Sequence, residues 1–251
     1  LLALAGWLRV NKPAAVLVSG LKHEAYAALG RTVAGQRNTL LIASEDCLPW
    51  QRTAVLGSRV AARCRDAPRI VAPSAFLAGQ LAESGYAAEQ IAVVPRGAVA
   101  SPAADDSSRQ AARAALAAVN YDLATTENAC VALACGHLDP RHRFSDLVRA
   151  WRIVTARRSE SRLWMVGDGP ERERLYLQIG DLDQRFRAFL PGTFETHQEL
   201  LAASNLLLVP GAHEVPPLVM LDALAAGVPV IAADSPAARE YIARLASGFT
   251  Y

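Results

Sequence analysis

The stretch RIVAPSAFLAGQLAESGYAAEQIAVVPRG, residues 69–97, decides the fold class. Ile70 and Val71 favour an extended chain, and Pro73 has no N–H with which to continue a strand ladder. Ser74 is a good helix N-cap, Ala75–Glu83 is a run of helix formers, and Gly85 stops it. IAVVPRG, residues 91–97, then reads as a second strand. Strand, helix and strand in that order form a βαβ unit, whose crossover lays its two strands parallel.

The same alternation extends in both directions. Upstream stand AVLVSG (15–20), a helical stretch from about Glu24 to Arg37, and TLLIAS (39–44), preceded by the amphipathic segment LLALAGWLRV. Downstream, residues 100–112 (ASPAADDSSRQAA) are small, polar and without an apolar period, which predicts a linker ahead of a helix around Ala111–Ala118. The alternation then resumes with CVALACG (130–136), a helix over Ser145–Ala156, RLWMVG (162–167), a helix over Glu171–Ile179 and FRAFLPG (186–192). A helix over His197–Ala203, NLLLVPG (205–211), a helix holding Asp222 and VPVIAAD (228–234) follow. The pattern predicts two Rossmann-like α/β units, 1–105 and 106–251, the first incomplete at its amino terminus. Ligands of such sheets sit beyond the carboxyl ends of the strands.

Composition sets limits on function. With 251 residues, 52% of them apolar, the chain can bury a large core, and a net charge of +2 supplies no field for bulk nucleic-acid binding. Cys47, Cys64, Cys130 and Cys135 show neither CxxC nor Cys/His ligand spacing, which points to reduced cytosolic thiols and no metal. No apolar run reaches the length of a membrane span, and the opening Leu1-Leu2 reads as the start of a piece cut from a longer protein. Trp7, Trp50, Trp151 and Trp164 fit core or domain packing, and Arg157, Arg158 and Arg162 fit the basic carboxyl end of a helix, with peripheral membrane contact as the lesser alternative.

Three strand-to-helix turns should open on one sheet edge: GHLDPRHRF (136–144), VGDGPERERL (166–175) and PGAHEVPPLVMLDALAAGVPVIAAD (210–234). In the second, Gly167 and Gly169 permit tight backbone, and a well-built turn is the simpler explanation of both. In the third, Pro217 can begin a helix and leave the amides of Leu218, Val219 and Met220 aimed outward, an arrangement suited to phosphate. Glu214 lies just outside that helix and Asp222 inside it. The plain alternative makes Glu214 a cap and Asp222 a solvated position.

These motifs, taken in order with IVAPSAFLAGQLAESGYAAEQIAVVPRGA in the first half, resemble the family 4 glycosyltransferases. The family pattern carries Val-Gly-Asp-Gly-Pro, then Glu, seven residues and Glu-Ala, then Gly-x-Pro-Val. The resemblance implies a GT-B fold and metal-independent transfer of a sugar, with retention, from a nucleotide-diphosphate donor. No cofactor is implied beyond that donor substrate. It places Glu214 at the donor sugar's hydroxyls and Asp222 at the ribose. His137 and His142 fall where the family's first turn, opening Gly-Arg-Leu and closing Lys-Gly, carries its diphosphate-neutralising Arg and Lys. Gly136, Arg141, Arg143, Gly167, Asp168, Gly169, Pro217, Leu218 and Val219 complete the implied donor site.

The chain departs from the pattern at identifiable places. His137 and His142 replace Arg and Lys, and a neutral imidazole is a weaker phosphate clamp. Arg143 replaces glycine, which should alter the turn, and Asp222 is one methylene shorter than Glu. Ser44-Glu45-Asp46 lacks the family's His, Arg96 replaces Asn, and the segments before Leu1 and after Tyr251 that the family carries are missing. His213, beside Glu214, and His23 with Glu24 read as surface positions. The expected function is glycosyl transfer to a saccharide, lipid-linked or small-molecule acceptor, in the cytoplasm or at the inner membrane face. The alternatives are a non-catalytic relative that binds or scaffolds, and a sugar-nucleotide epimerase.

Overall fold

The computed structural model describes residues 2–19, 27, 30–36, 40–44, 69–83, 86–98, 101–212, 217–245 and 248–251. They fall into two compact units, Leu1–Arg96 and Gly97–Tyr251.

In the first unit, helix α1 (Leu2–Asn11) precedes strands β1 (Ala15–Ser19), β2 (Leu40–Ser44) and β3 (Arg69–Ala72). Helix α2 (Ala75–Glu83) and strand β4 (Ile91–Val93) follow. The strands form one parallel sheet in the order β1-β2-β3-β4. Ser74 caps α2 as its position predicts: its buried Oγ accepts the Leu77 amide at 3.1 Å. Ala5 and Leu8 of α1 pack with Ala34, while Trp7 is 53% exposed and so belongs to the surface, not to the core or domain packing expected of it.

The second unit runs α3 (Asp106–Val119), β5 (Val131–Cys135), α4 (Phe144–Arg157), β6 (Arg162–Val166), α5 (Arg172–Asp181) and β7 (Ala188–Gly192). It continues with α6 (Gln198–Ala203), β8 (Leu206–Val209), α7 (Leu218–Ala225), β9 (Val230–Ala232), α8 (Pro236–Leu245) and β10 (Gly248–Thr250). All six strands are parallel, in the order β10-β9-β8-β5-β6-β7. Alternate residues of each strand feed opposite faces of the sheet. Ala132, Ala134, Leu163 and Met165 pack with Phe144, Val148 and Trp151 of α4 and Leu175 and Ile179 of α5. Val131, Leu133, Trp164, Leu207, Val209 and Val230 pack with residues of α3, α6, α7 and α8. β5 is buried on both faces, which explains its unbroken apolar run.

The expected linker over 100–112 is in fact mostly helix. Asp105 is the N-cap of α3 and accepts the Ser108 amide at 2.7 Å, so DDSS is a capping sequence followed by helix. Leu116 and Arg113 are the buried residues of α3. The Arg113 guanidinium donates to the Ala203 carbonyl at 2.9 Å and to Asn205 Oδ1 at 2.7 Å, satisfying the open carboxyl end of α6.

β7 is the outermost described strand on its side. Its register against β6 shifts between Trp164 and Val166, beside Pro191, which has no N–H for the ladder. Arg172 donates to the Leu190 carbonyl at 3.3 Å and Asn120 to the Pro191 carbonyl at 3.1 Å.

Candidate functional site

The strand order puts β5 beside both β6 and β8. From β5 the chain steps through β6 to β7, then returns to the other side of β5 for β8, β9 and β10. Right-handed crossovers in the two directions put their helices on opposite faces, which leaves a crevice at the carboxyl ends of β5 and β8. The turn after β5 (136–143) opens there beside the described ends, 210–212 and 217, of the segment that joins β8 to α7, and the turn after β6 (167–170) flanks it. The three turns therefore share one sheet edge.

Two of these turns are knitted together by backbone. Gly136 N donates to Val166 O at 3.0 Å, Leu138 N to Asp168 O at 2.9 Å, and Glu171 N to Leu138 O at 2.9 Å, so the β5–β6 ladder continues beyond both strands. A Cβ on Gly167 would stand 1.9 Å from Gly136 O, and one on Gly169 would stand 2.5 Å from Leu138 O. Close approach of backbone to backbone accounts for both glycines. Asp168 is exposed, accepts the Gly169 amide at 2.9 Å and lies 3.9 Å from the Arg172 guanidinium. Buried Glu171 pairs with Arg174 at 2.7 Å through one carboxylate oxygen, while the other has no hydrogen-bond partner.

Within the first turn the organising residue is Asp139, a position without a role in the sequence reading. It caps the short 3-10 helix Pro140–His142, accepting the amides of Arg141 at 2.9 Å and His142 at 3.2 Å. The same carboxylate holds His142 Nδ1 at 2.7 Å and the Arg141 guanidinium at 3.1 Å. The His142 bond, aided by Arg141, keeps the carboxyl well below the usual carboxylate range, against the opposing effect of burial. Asp followed by Pro at the first helical position was the available signal. The His142 ring stacks near Phe144, with centroids 6.4 Å apart. Its Nε2–Cδ2 edge lies over Gly136, where a Cβ would stand 3.1 Å from Cδ2 and 3.6 Å from Nε2. His137 is exposed.

Arg143, where the family pattern has glycine, stands between the 3-10 helix and α4. It takes the left-handed conformation itself, with φ 55° and ψ 30°, at a cost of about 1 kcal/mol relative to glycine. Its guanidinium turns along α4 to Asp146 at 2.8 Å.

In the third turn, Pro217 is the N-cap of α7 and not its first residue, and among the described residues no side chain caps that end. The Met220 amide, expected to point outward, instead donates to the Pro217 carbonyl at 3.0 Å. Leu218 is 52% exposed and Val219 buried, while Asp222 is half-buried one turn further on. His213 and Glu214 lie outside the described residues, as do His23, Glu24, Glu45, Asp46, Cys47, Trp50 and Cys64.

The arginines of the first turn are paired locally, Asp146 being shared with Arg149. Arg141 answers Asp139 and Arg143 answers Asp146, so attraction for an anion falls to the two histidines and the backbone amides. The Cys135 thiol at the end of β5 is pushed up to about 12 by burial, which keeps it protonated and unsuited to nucleophilic attack. Among the described residues no group of His, Cys, Asp and Glu is arranged to hold a metal ion, and no helix is long and apolar enough to cross a membrane.

The chain is similar to several known proteins. The chain is 33% identical over 121 residues to the lipopolysaccharide core biosynthesis glycosyltransferase LpsD of Rhizobium meliloti, a match covering 48% of this chain and 34% of that protein. It is 38% identical over 90 residues to the N-acetyl-alpha-D-glucosaminyl L-malate synthase of Bacillus anthracis, covering 36% of this chain and 23% of that one. These matches span about a third or less of each relative. A crystal structure of Anabaena Alr3699/HepE in complex with UDP superposes with a TM-score of 0.79 at 19% identity, over all of this chain and 67% of that one. That likeness shows the GT-B fold class, with one Rossmann-like parallel sheet in each unit. The model for glycosyl transferases group 1 matches residues 122–251, just over half of the chain, and the chain belongs to that family.

Proposed function

We propose that the protein transfers a sugar from a nucleoside diphosphate donor to a saccharide, lipid-linked or small-molecule acceptor. The carrying observation is the convergence of the turns after β5, β6 and β8 at the reversal of strand order in a group 1 family sheet. A diphosphate there meets the α7 amides on one side and the turn of His137 and His142 on the other. Negative charge grows on the departing diphosphate in the transition state, and preorganised donors lower the barrier by stabilising it. Glu214 takes the donor sugar's hydroxyls and Asp222 the ribose. The amides and side chains do this without a metal or a further cofactor, and transfer proceeds with retention, as in family 4. Hexosyl transfer in glycan assembly, in the cytoplasm or peripherally at the inner membrane face, fits the relative that works in lipopolysaccharide core biosynthesis. The complex of Alr3699/HepE with UDP supports a uridine donor among those to be tried.

A binding or scaffold subunit without catalysis is the second reading. It is favoured by the pairing of Arg141 and Arg143 with carboxylates of their own segment. Titration with UDP, GDP and ADP, followed by assays of donor hydrolysis with the matching sugar nucleotides, separates the two. The enzyme reading expects binding and slow hydrolysis, with Glu214→Ala lowering turnover by about 10²-fold or more. Binding without hydrolysis selects a nucleotide-binding subunit, and binding of no nucleotide removes the enzyme reading and favours the scaffold.

A further inference from the structure

The amino-terminal edge of the six-stranded sheet, opposite the donor crevice, carries a cleft of about 480 Å3 between the first turns of α3 and the residues that lead into β5 and β8. Asp106, Arg109 and Arg113 recur at helical spacing along α3 and line it together with Asn205.

Arg113 is only 4% exposed, and a charge buried that deeply ordinarily has a counter-charge in contact. Its guanidinium instead meets two neutral acceptors, with Nε donating to the Ala203 carbonyl at 2.9 Å and Nη2 to Asn205 Oδ1 at 2.7 Å. The partial negative charge at the carboxyl end of α6 offsets only a fraction of a full positive one. Among the described residues Nη1 has no acceptor. Arg109, one helical turn away, adds a second positive charge. Its Nη1 pairs with the exposed Asp106 and its Nη2 donates to the Ala104 carbonyl at 3.0 Å, but its Nε is buried without an acceptor. Burial first, and the charge of Arg109 second, disfavour the charged form of Arg113. Asn205 Oδ1 accepts the Val131 amide at 2.8 Å as well as Arg113, which identifies that atom as the oxygen and leaves Nδ2 as a donor with no partner among the described residues.

We propose that this cleft is a second anion site, distinct from the donor crevice, that takes a phosphate monoester with its dianionic head between Arg109 and Arg113. A phosphate head supplies several acceptor oxygens to nitrogens that lack them, and two planar guanidinia match its geometry. The cleft has room for the ester group too, since a water molecule takes about 30 Å3 in the liquid. Ser107 and Gln110 give that space polar walls. Asp106 and Glu127 stand exposed on the rim, where water screens their repulsion. The inference does not depend on the donor reading, because the site lies at the other end of the strands.

The test is calorimetric titration of the chain with inorganic phosphate and with methyl phosphate, at constant ionic strength in chloride. Saturable binding of one phosphate per chain is expected, with methyl phosphate bound no more weakly than inorganic phosphate and neither displaced by excess UDP. In 15N spectra the Nε–H signals of Arg109 and Arg113 should shift along the same titration. Arg109→Gln should bind about tenfold more weakly or worse, with its urea midpoint in the absence of phosphate close to that of the wild type, and Arg109→Lys should recover part of the affinity. Absence of saturable binding, unshifted guanidinium signals, unchanged affinity in Arg109→Gln or displacement by UDP overturns the site. Binding of inorganic phosphate with exclusion of methyl phosphate overturns the assignment to a monoester. None of these results bears on whether the nucleotides bind.

Discussion

At the scale of single residues, the site depends on two glycines and one aspartate. Gly167 has no room for a side chain: a methyl there meets the Gly136 carbonyl at 1.9 Å, and its φ of 150° is one that L residues rarely adopt. Gly167→Ala should therefore cost about 3 kcal/mol or more, read as a lower urea midpoint with the slope unchanged, because the turns after β5 and β6 must part. A loss below about 1 kcal/mol would show that the turns are loosely joined. The sequence revealed that both glycines permit tight backbone, but not what presses on them, since the neighbouring carbonyls lie some thirty residues away in the chain. Asp139 was hidden differently: its bonds to Arg141 and His142 arise from one turn of 3-10 helix, too short to leave a periodic pattern.

At the scale of elements, strands β1 to β9 were legible as short apolar runs, most of them closed by glycine or proline, and the parallel arrangement followed from the helices between them, whereas α8 and β10 went unread. The start of α3 was not legible either. Small polar residues at 105–108 look like a linker when read by composition, yet Asp105 capping Ser108 begins a helix whose carboxyl half carries Leu116 into the core. Asp105→Ala should lower stability by about 1 kcal/mol, measured by equilibrium denaturation, and Asp105→Ser should recover most of it. No change in the alanine variant would mean that α3 is held by its packing alone. Arg143 offers a related case, since the turn holds a residue with a side chain in the left-handed region. Backbone demand from β5 and α4 outweighs a local preference of about 1 kcal/mol.

At the scale of the whole molecule, both large core clusters lie within residues 97–251, and every strand of the six-stranded sheet belongs to that unit. Produced alone, residues 97–251 should unfold in one cooperative transition whose midpoint agrees by circular dichroism and tryptophan fluorescence, reported by Trp151 and Trp164. Non-coincident transitions would show that the unit draws its order from elsewhere. The capped carbonyls of Leu190 and Pro191 bear on how such a protein behaves in a crowded solution. A bare sheet margin is a template onto which another chain can zip, and that is how fibrils grow. On the β7 side, a guanidinium, a carboxamide and a proline ring already occupy the places where an incoming backbone would have to bond.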